Sequence, residues 1–144
     1  MKFIHSTWAY LVVFMFVFIL IKYIISLLRD KQYTYGQDFR LALFTLIVLY
    51  IQVVLGFLNY FVSPYFEGLK QGHFSTYMKN APDRLLVIEH PVMMLLVLLL
   101  VHYGFNRHKK KNNSKRKFIN IIIFYGIGFF LILLRIPWHN WLSS

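Results

Sequence analysis

The chain has no cysteine, which excludes a disulfide scaffold, thiolate metal sites, thiol catalysis and covalent c-type haem attachment. Acidic residues are nearly as scarce: five Asp and Glu stand against 16 Lys and Arg, for a formal net charge of +11 over 144 residues. Charged residues make up 15% of the chain, well below the roughly 25% of a soluble domain. Also missing are an HExxH motif, a Walker-type glycine loop, a GxGxxG fingerprint and a nucleophile elbow. No internal repeat is present. What the chain has instead is apolar bulk, 58% of its residues, with 15 Phe, 10 Tyr and 3 Trp. A disordered basic tail lacks such residues. The combination describes a small integral membrane protein.

Four long apolar runs organise it. Spanning a hydrocarbon core of about 30 Å takes roughly 20 helical residues, and helices over about 7–28, 41–62, 84–105 and 118–136 meet that length. Open strands leave backbone groups unsatisfied in lipid, and the alternation of a barrel is missing. The first run is too long for a signal peptide, and Arg29-Asp30-Lys31 reads as a stop-transfer flank. Lys22 lies about 9 Å from the inner end of its helix and is expected to snorkel. The expected fold is an all-α, up-down-up-down four-helix bundle.

The basic residues orient it. Eleven of the 16 fall on the side of the 29–40 and 106–117 loops, seven of them in Arg107–Lys117. The positive-inside rule places those loops in the cytoplasm and both termini, with the 63–84 loop, outside. The implied location is a bacterial inner membrane. The Arg107–Lys117 run matches an anchor for anionic lipid headgroups, while no aromatic interleaving supports a nucleic-acid partner.

Polar residues inside a membrane are costly, so their placement carries functional information. Thr45, Gln52, Gly56, Asn59 and Ser63 share one face of the second helix. That stripe either packs helices closely or, with Gly56 clearing space, lets Gln52 and Asn59 bond a flat ligand or its supports. In the third helix Asp83 is the expected cap after Pro82. Pro91 removes one hydrogen bond, frees the Val87 carbonyl and predicts a kink. Glu89 and His90 then lie about one and a half turns below the outer surface.

Glu89 can lock the bundle by pairing with an arginine, or support a ligand of His90. For haem the chemistry calls for imidazoles from facing helices within apolar walls. His5 is the favoured partner of His90, with His139, beyond Pro137 and between Trp138 and Trp141, as the competitor. Arg84 and Arg135 are placed to neutralise propionates. His102, roughly 18 Å further along the helix, cannot share that site, and His108 falls in the basic loop. Met93 and Met94 read as packing, as do Gly126 and Gly128.

Several segments together resemble a family. They are His5-Ser6-x-Trp8, Gln52-x-x-Leu55-Gly56-x-x-x-Tyr60-Phe61-x-Ser63-Pro64, Arg84-x-x-x-x-Glu89-His90-x-x-x-Met94 and Ile136-Pro137-Trp138. Nearly the whole chain thus resembles the small four-helix bacterial membrane proteins labelled cytochrome b or cytochrome b-like. The resemblance implies a non-covalent haem b with His5 and His90 as its matching histidines. A looser similarity links the Gln52–Gly56 helix to one four-helix half of haem A synthase, although here the Glu-His pair is adjacent.

Three functions follow as expectations. The first is a b-type haem protein near the outer face, exchanging electrons with a quinol or a redox partner protein. The second is a non-enzymatic accessory or assembly subunit of a larger membrane complex, with Glu89 and His90 as a structural polar site. The third, a transporter or proton relay, has little room in four helices without a repeat. A divalent ion shared by His5, Glu89 and His90 is disfavoured, because adjacent helical residues point about 100° apart.

Overall fold

Uninterrupted apolar sequence in lipid has one economical conformation, and the computed structural model, which describes residues 2–142, is helical throughout with no strand among them. The elements are α1 (Lys2–Leu28), α2 (Tyr35–Phe61), α3 (Pro64–Lys70), α4 (Phe74–Lys79), α5 (Ala81–Lys109), α6 (Ser114–Arg135) and α7 (Trp138–Leu142). Four of them, α1, α2, α5 and α6, are long and apolar enough to cross a membrane. The chain is a multi-pass membrane protein. Its spans pack in a ring, α1 on α2, α2 on α5, α5 on α6 and α6 back on α1.

The core follows from side-chain spacing. Val12, Phe16, Ile19 and Tyr23 of α1 face Phe118, Ile121, Tyr125 and Ile132 of α6, all buried. Spacings of three and four residues are those of a left-handed bundle seam. Large apolar residues such as Phe14, Leu99 and Phe130 remain exposed on the outside of the spans, the side that meets lipid. Close approach of α5 and α6 depends on a glycine from each: a Cβ on Gly104 would lie 2.2 Å from Phe124 Cβ, and one on Gly128 would lie 2.7 Å from Val101 Cγ2. Gly126, by contrast, has nothing nearer than Leu20 at 3.9 Å.

Helix ends differ from the sequence expectations in ways that matter. α1 starts at Lys2 and not near residue 7, so His5 sits inside it. α5 starts at Ala81, capped by Asn80, whose Oδ1 accepts from the Asp83 amide at 3.1 Å. Pro82 then occupies the first turn, where a missing N–H costs nothing. Asp83 is therefore not the cap; its carboxylate accepts from the Tyr65 hydroxyl at 3.0 Å.

At the opposite end α5 continues to Lys109 and α6 begins at Ser114. His108 is not in a loop but fully buried. Its Nδ1 donates to the Phe105 carbonyl at 2.5 Å, and its Nε2 accepts from the Tyr33 hydroxyl at 2.6 Å. Lys22 does not snorkel to water. Its ammonium pairs with the buried carboxylate of Asp38 at 2.6 Å, which also accepts from the Thr34 amide at 2.9 Å. A π-turn, Tyr35–Phe39, opens α2 and carries that aspartate inward.

Candidate functional site

α1, α2, α5 and the stretch joining α6 to α7 surround a cavity of about 530 Å³ at the end that carries both termini. Apolar walls come from Val12, Leu49, Val53, Met94 and Ile132, among others. Of the stripe expected on α2, Gln52, Gly56 and Asn59 line it from that helix and Ser63 lines it from beyond the helix end, where it caps α3, whereas Thr45 is buried lower down and donates to the Leu41 carbonyl.

Two imidazoles face each other there. His5 of α1 and His90 of α5 have ring centroids 6.3 Å apart with planes at 63°. His90 is held from behind: its Nδ1 donates to the Arg135 carbonyl at 2.8 Å. That carbonyl is available because Pro137 follows and α6 ends at Arg135. The bond fixes the tautomer and leaves Nε2 with its lone pair free.

The backbone beneath His90 is irregular. Leu85–Glu89 forms a π-turn, and the His90 amide bonds to the Leu85 carbonyl five residues back. Pro91 has no N–H for the Val87 carbonyl, and the Tyr60 hydroxyl of α2 donates to it instead at 3.0 Å. π-turns rotate the residues that follow them relative to a regular helix, which sets the direction of His90.

The His5 ring lies over Gly56. A Cβ at that position would be 3.0 Å from His5 Cε1, so the space Gly56 clears is taken by the imidazole. Gln52 Nε2 donates to the His5 carbonyl at 3.0 Å. Two polar atoms remain buried without a hydrogen bond among the described residues, His5 Nδ1 and Gln52 Oε1.

Other expected site residues are arranged differently. Glu89 does not line the cavity; it accepts from Arg84 Nε at 3.1 Å. Arg84 also donates to the Met78 carbonyl at 2.9 Å. Arg135 does not line it either, and its guanidinium donates to the Leu134 carbonyl; its backbone carbonyl is what reaches His90. The cavity-lining cation is Lys2. His139 is on α7 and does not line the cavity. His102 is far along α5, with Nδ1 bonded to the Tyr50 hydroxyl.

Sequence reasoning missed Lys2, Tyr60 and Trp141. Trp141 lines the cavity and donates from Nε1 to the Ser6 carbonyl at 3.0 Å, fastening α7 across α1. Tyr60 had a signal, since an orphaned Val87 carbonyl requires a donor. Among the described residues no group of three or more His, Asp or Glu is gathered to hold a metal ion. No family model, curated protein or solved structure matches the chain.

Proposed function

We propose that the cavity binds one b-type haem between His5 and His90, and that the protein carries electrons at the outer face of a bacterial inner membrane. One observation carries this reading: two imidazoles from different helices face each other at 6.3 Å within apolar walls. His5 and His90 would be the residues that hold the haem iron. The iron of a haem brings its equatorial nitrogens with it, so two protein donors complete its coordination. A bare ion would need a larger donor group, and the described residues gather none.

Bound haem would supply a one-electron couple whose potential depends on its axial ligands and surroundings. The residues of the chain supply the rest. The Arg135 carbonyl holds the His90 Nδ1 proton, which orients the ring and raises its basicity. Val12, Leu49, Val53 and Ile132 exclude water. Lys2 offers the charge that would meet haem carboxylates, the role that the sequence assigned to Arg84 and Arg135.

Orientation rests on the basic excess at the other end, which the positive-inside rule assigns to the cytoplasm. There the Arg107–Lys117 segment would meet anionic headgroups at about 1 kcal/mol per residue. A quinol in the bilayer or a redox protein at the outer face would be the electron partner. The second reading, an accessory or assembly subunit, has its own support: the Arg84–Glu89 pair and the His90–Arg135 bond also tie the bundle together.

An optical spectrum of the detergent-purified protein, supplied with haem and recorded oxidised and dithionite-reduced, tests the proposal. The expected result is a b-type reduced spectrum lost in His90→Ala and His5→Ala. A protein that stays colourless would overturn it and favour the accessory reading.

A further inference from the structure

We infer that Gln52 is the positioning residue for His5, its single amide gripping both the backbone and the ring of that histidine. The inference rests on the haem reading for the identity of the ligand, and on buried polar atoms alone for the hydrogen bond. A buried donor or acceptor left without a partner costs about 1–3 kcal/mol, so two such atoms in one place call for an explanation. His5 Nδ1 and Gln52 Oε1 are the two. They belong to side chains already joined, because Gln52 Nε2 donates to the His5 carbonyl at 3.0 Å.

That existing bond decides which way the amide points. An amide has one donor end and one acceptor end. With its nitrogen committed to the His5 carbonyl, the oxygen is the end left to meet the ring. The two orphans are complementary: Nδ1 can carry a proton, and Oε1 can only accept one. Rotation of the His5 ring, which lies over the bare backbone of Gly56, is the movement that would join them.

Proton on Nδ1 means lone pair on Nε2. His5 then presents the same nitrogen that His90 presents through its bond to the Arg135 carbonyl. The two histidines are thereby prepared by different means, one by a backbone carbonyl and one by a side-chain amide. Only the second can be altered by substitution without touching the helix.

The test compares wild type, Gln52→Leu and Gln52→Glu in detergent, each with 15N-labelled histidine. The His5 tautomer is read by NMR without haem, and haem affinity and midpoint potential are read after haem is supplied. We expect the Nδ1–H tautomer of His5 in wild type and a mixed population in Gln52→Leu. Haem affinity should fall about 10–100-fold in Gln52→Leu, the usual effect of losing such a support. Gln52→Glu, a stronger acceptor, should keep the tautomer and lower the potential.

Circular dichroism checks that both variants fold, and Gln52→Glu keeps the assignment falsifiable if Gln52→Leu does not. An Nε2–H tautomer in wild type, or a tautomer and potential indifferent to both substitutions, would overturn the inference. A Gln52-dependent tautomer in a protein that takes up no haem would uphold the positioning role while removing the haem proposal.

Discussion

The Tyr60 hydroxyl donates to the Val87 carbonyl at 3.0 Å, and Val87 lies four residues before Pro91, the residue that cannot supply an amide to it. A side chain of α2 thus repairs a break that proline makes in α5. Tyr60→Phe is expected to cost about 1–3 kcal/mol, the price of an unsatisfied buried carbonyl. Adding Pro91→Ala, which returns an N–H, should recover part of the loss. Thermal unfolding of the two single variants and the double variant measures the coupling; strictly additive effects would contradict it.

Gly56 and Gly126 make a matched pair of tests. A Cβ at position 56 would lie 3.0 Å from His5 Cε1, so the ring must give way, whereas one at 126 meets nothing closer than 3.9 Å. Gly56→Val should abolish haem uptake while helical content stays near wild type. Gly126→Ala should be silent in both measurements. Equal effects at the two positions would mean that the His5 contact has no bearing on the cavity.

Carboxylate recognition at the cavity mouth separates Lys2 from the arginines. Lys2→Gln is expected to weaken haem binding and reduce its salt dependence. Arg84→Gln, which breaks only the Glu89 pair and the Met78 contact, should lower thermal stability and leave haem affinity unchanged. Titration of haem at two ionic strengths distinguishes them, and the reverse pattern would restore the arginines to the role expected from sequence.

At the basic end, Asp38→Ala leaves the Lys22 ammonium without its partner at 2.6 Å. The Lys22 side chain is 31% exposed, so the loss of stability should fall below the roughly 3 kcal/mol of a fully buried pair. Because the pair sits at the far end from the cavity, the haem spectrum should be unaffected. A spectral change without loss of stability would show that the two ends communicate.

Alkaline pH should loosen the same end. Burial raises the Tyr33 phenol above its ordinary value of 10.0, with Asp38 nearby adding to the effect and the Tyr23 hydrogen bond opposing it. His108 and Lys117 also face this ring. A raised folded-state value means that its contribution is full below about pH 10 and is lost as pH climbs above it. Unfolding temperatures measured from about pH 8 to pH 11 should fall more steeply in wild type than in Tyr33→Phe.

The four spans were legible because lipid imposes a length and a polarity that a single sequence displays directly. The ends were not. Lys2, His5 and Ser6 look like a polar leader until Trp141 bonds the Ser6 carbonyl and the helix is seen to begin at Lys2. His108 lies among lysines and reads as loop, yet a tyrosine 75 residues away draws it inside. Arg84 and Glu89, five residues apart, satisfied each other, and no periodicity distinguishes that local pairing from two groups aimed at a ligand. The facing of His5 and His90 follows from the ring order of the helices and a π-turn, and the π-turn has no reliable sequence signal.

Ser6 and Trp141, joined by one hydrogen bond, are 135 residues apart in the chain. Both border the cavity, so one hydrogen bond clasps two helices that are remote in sequence. That side of the cavity is therefore shut by tertiary structure and not by a neighbouring loop, and it is complete only when α7 rests on α1.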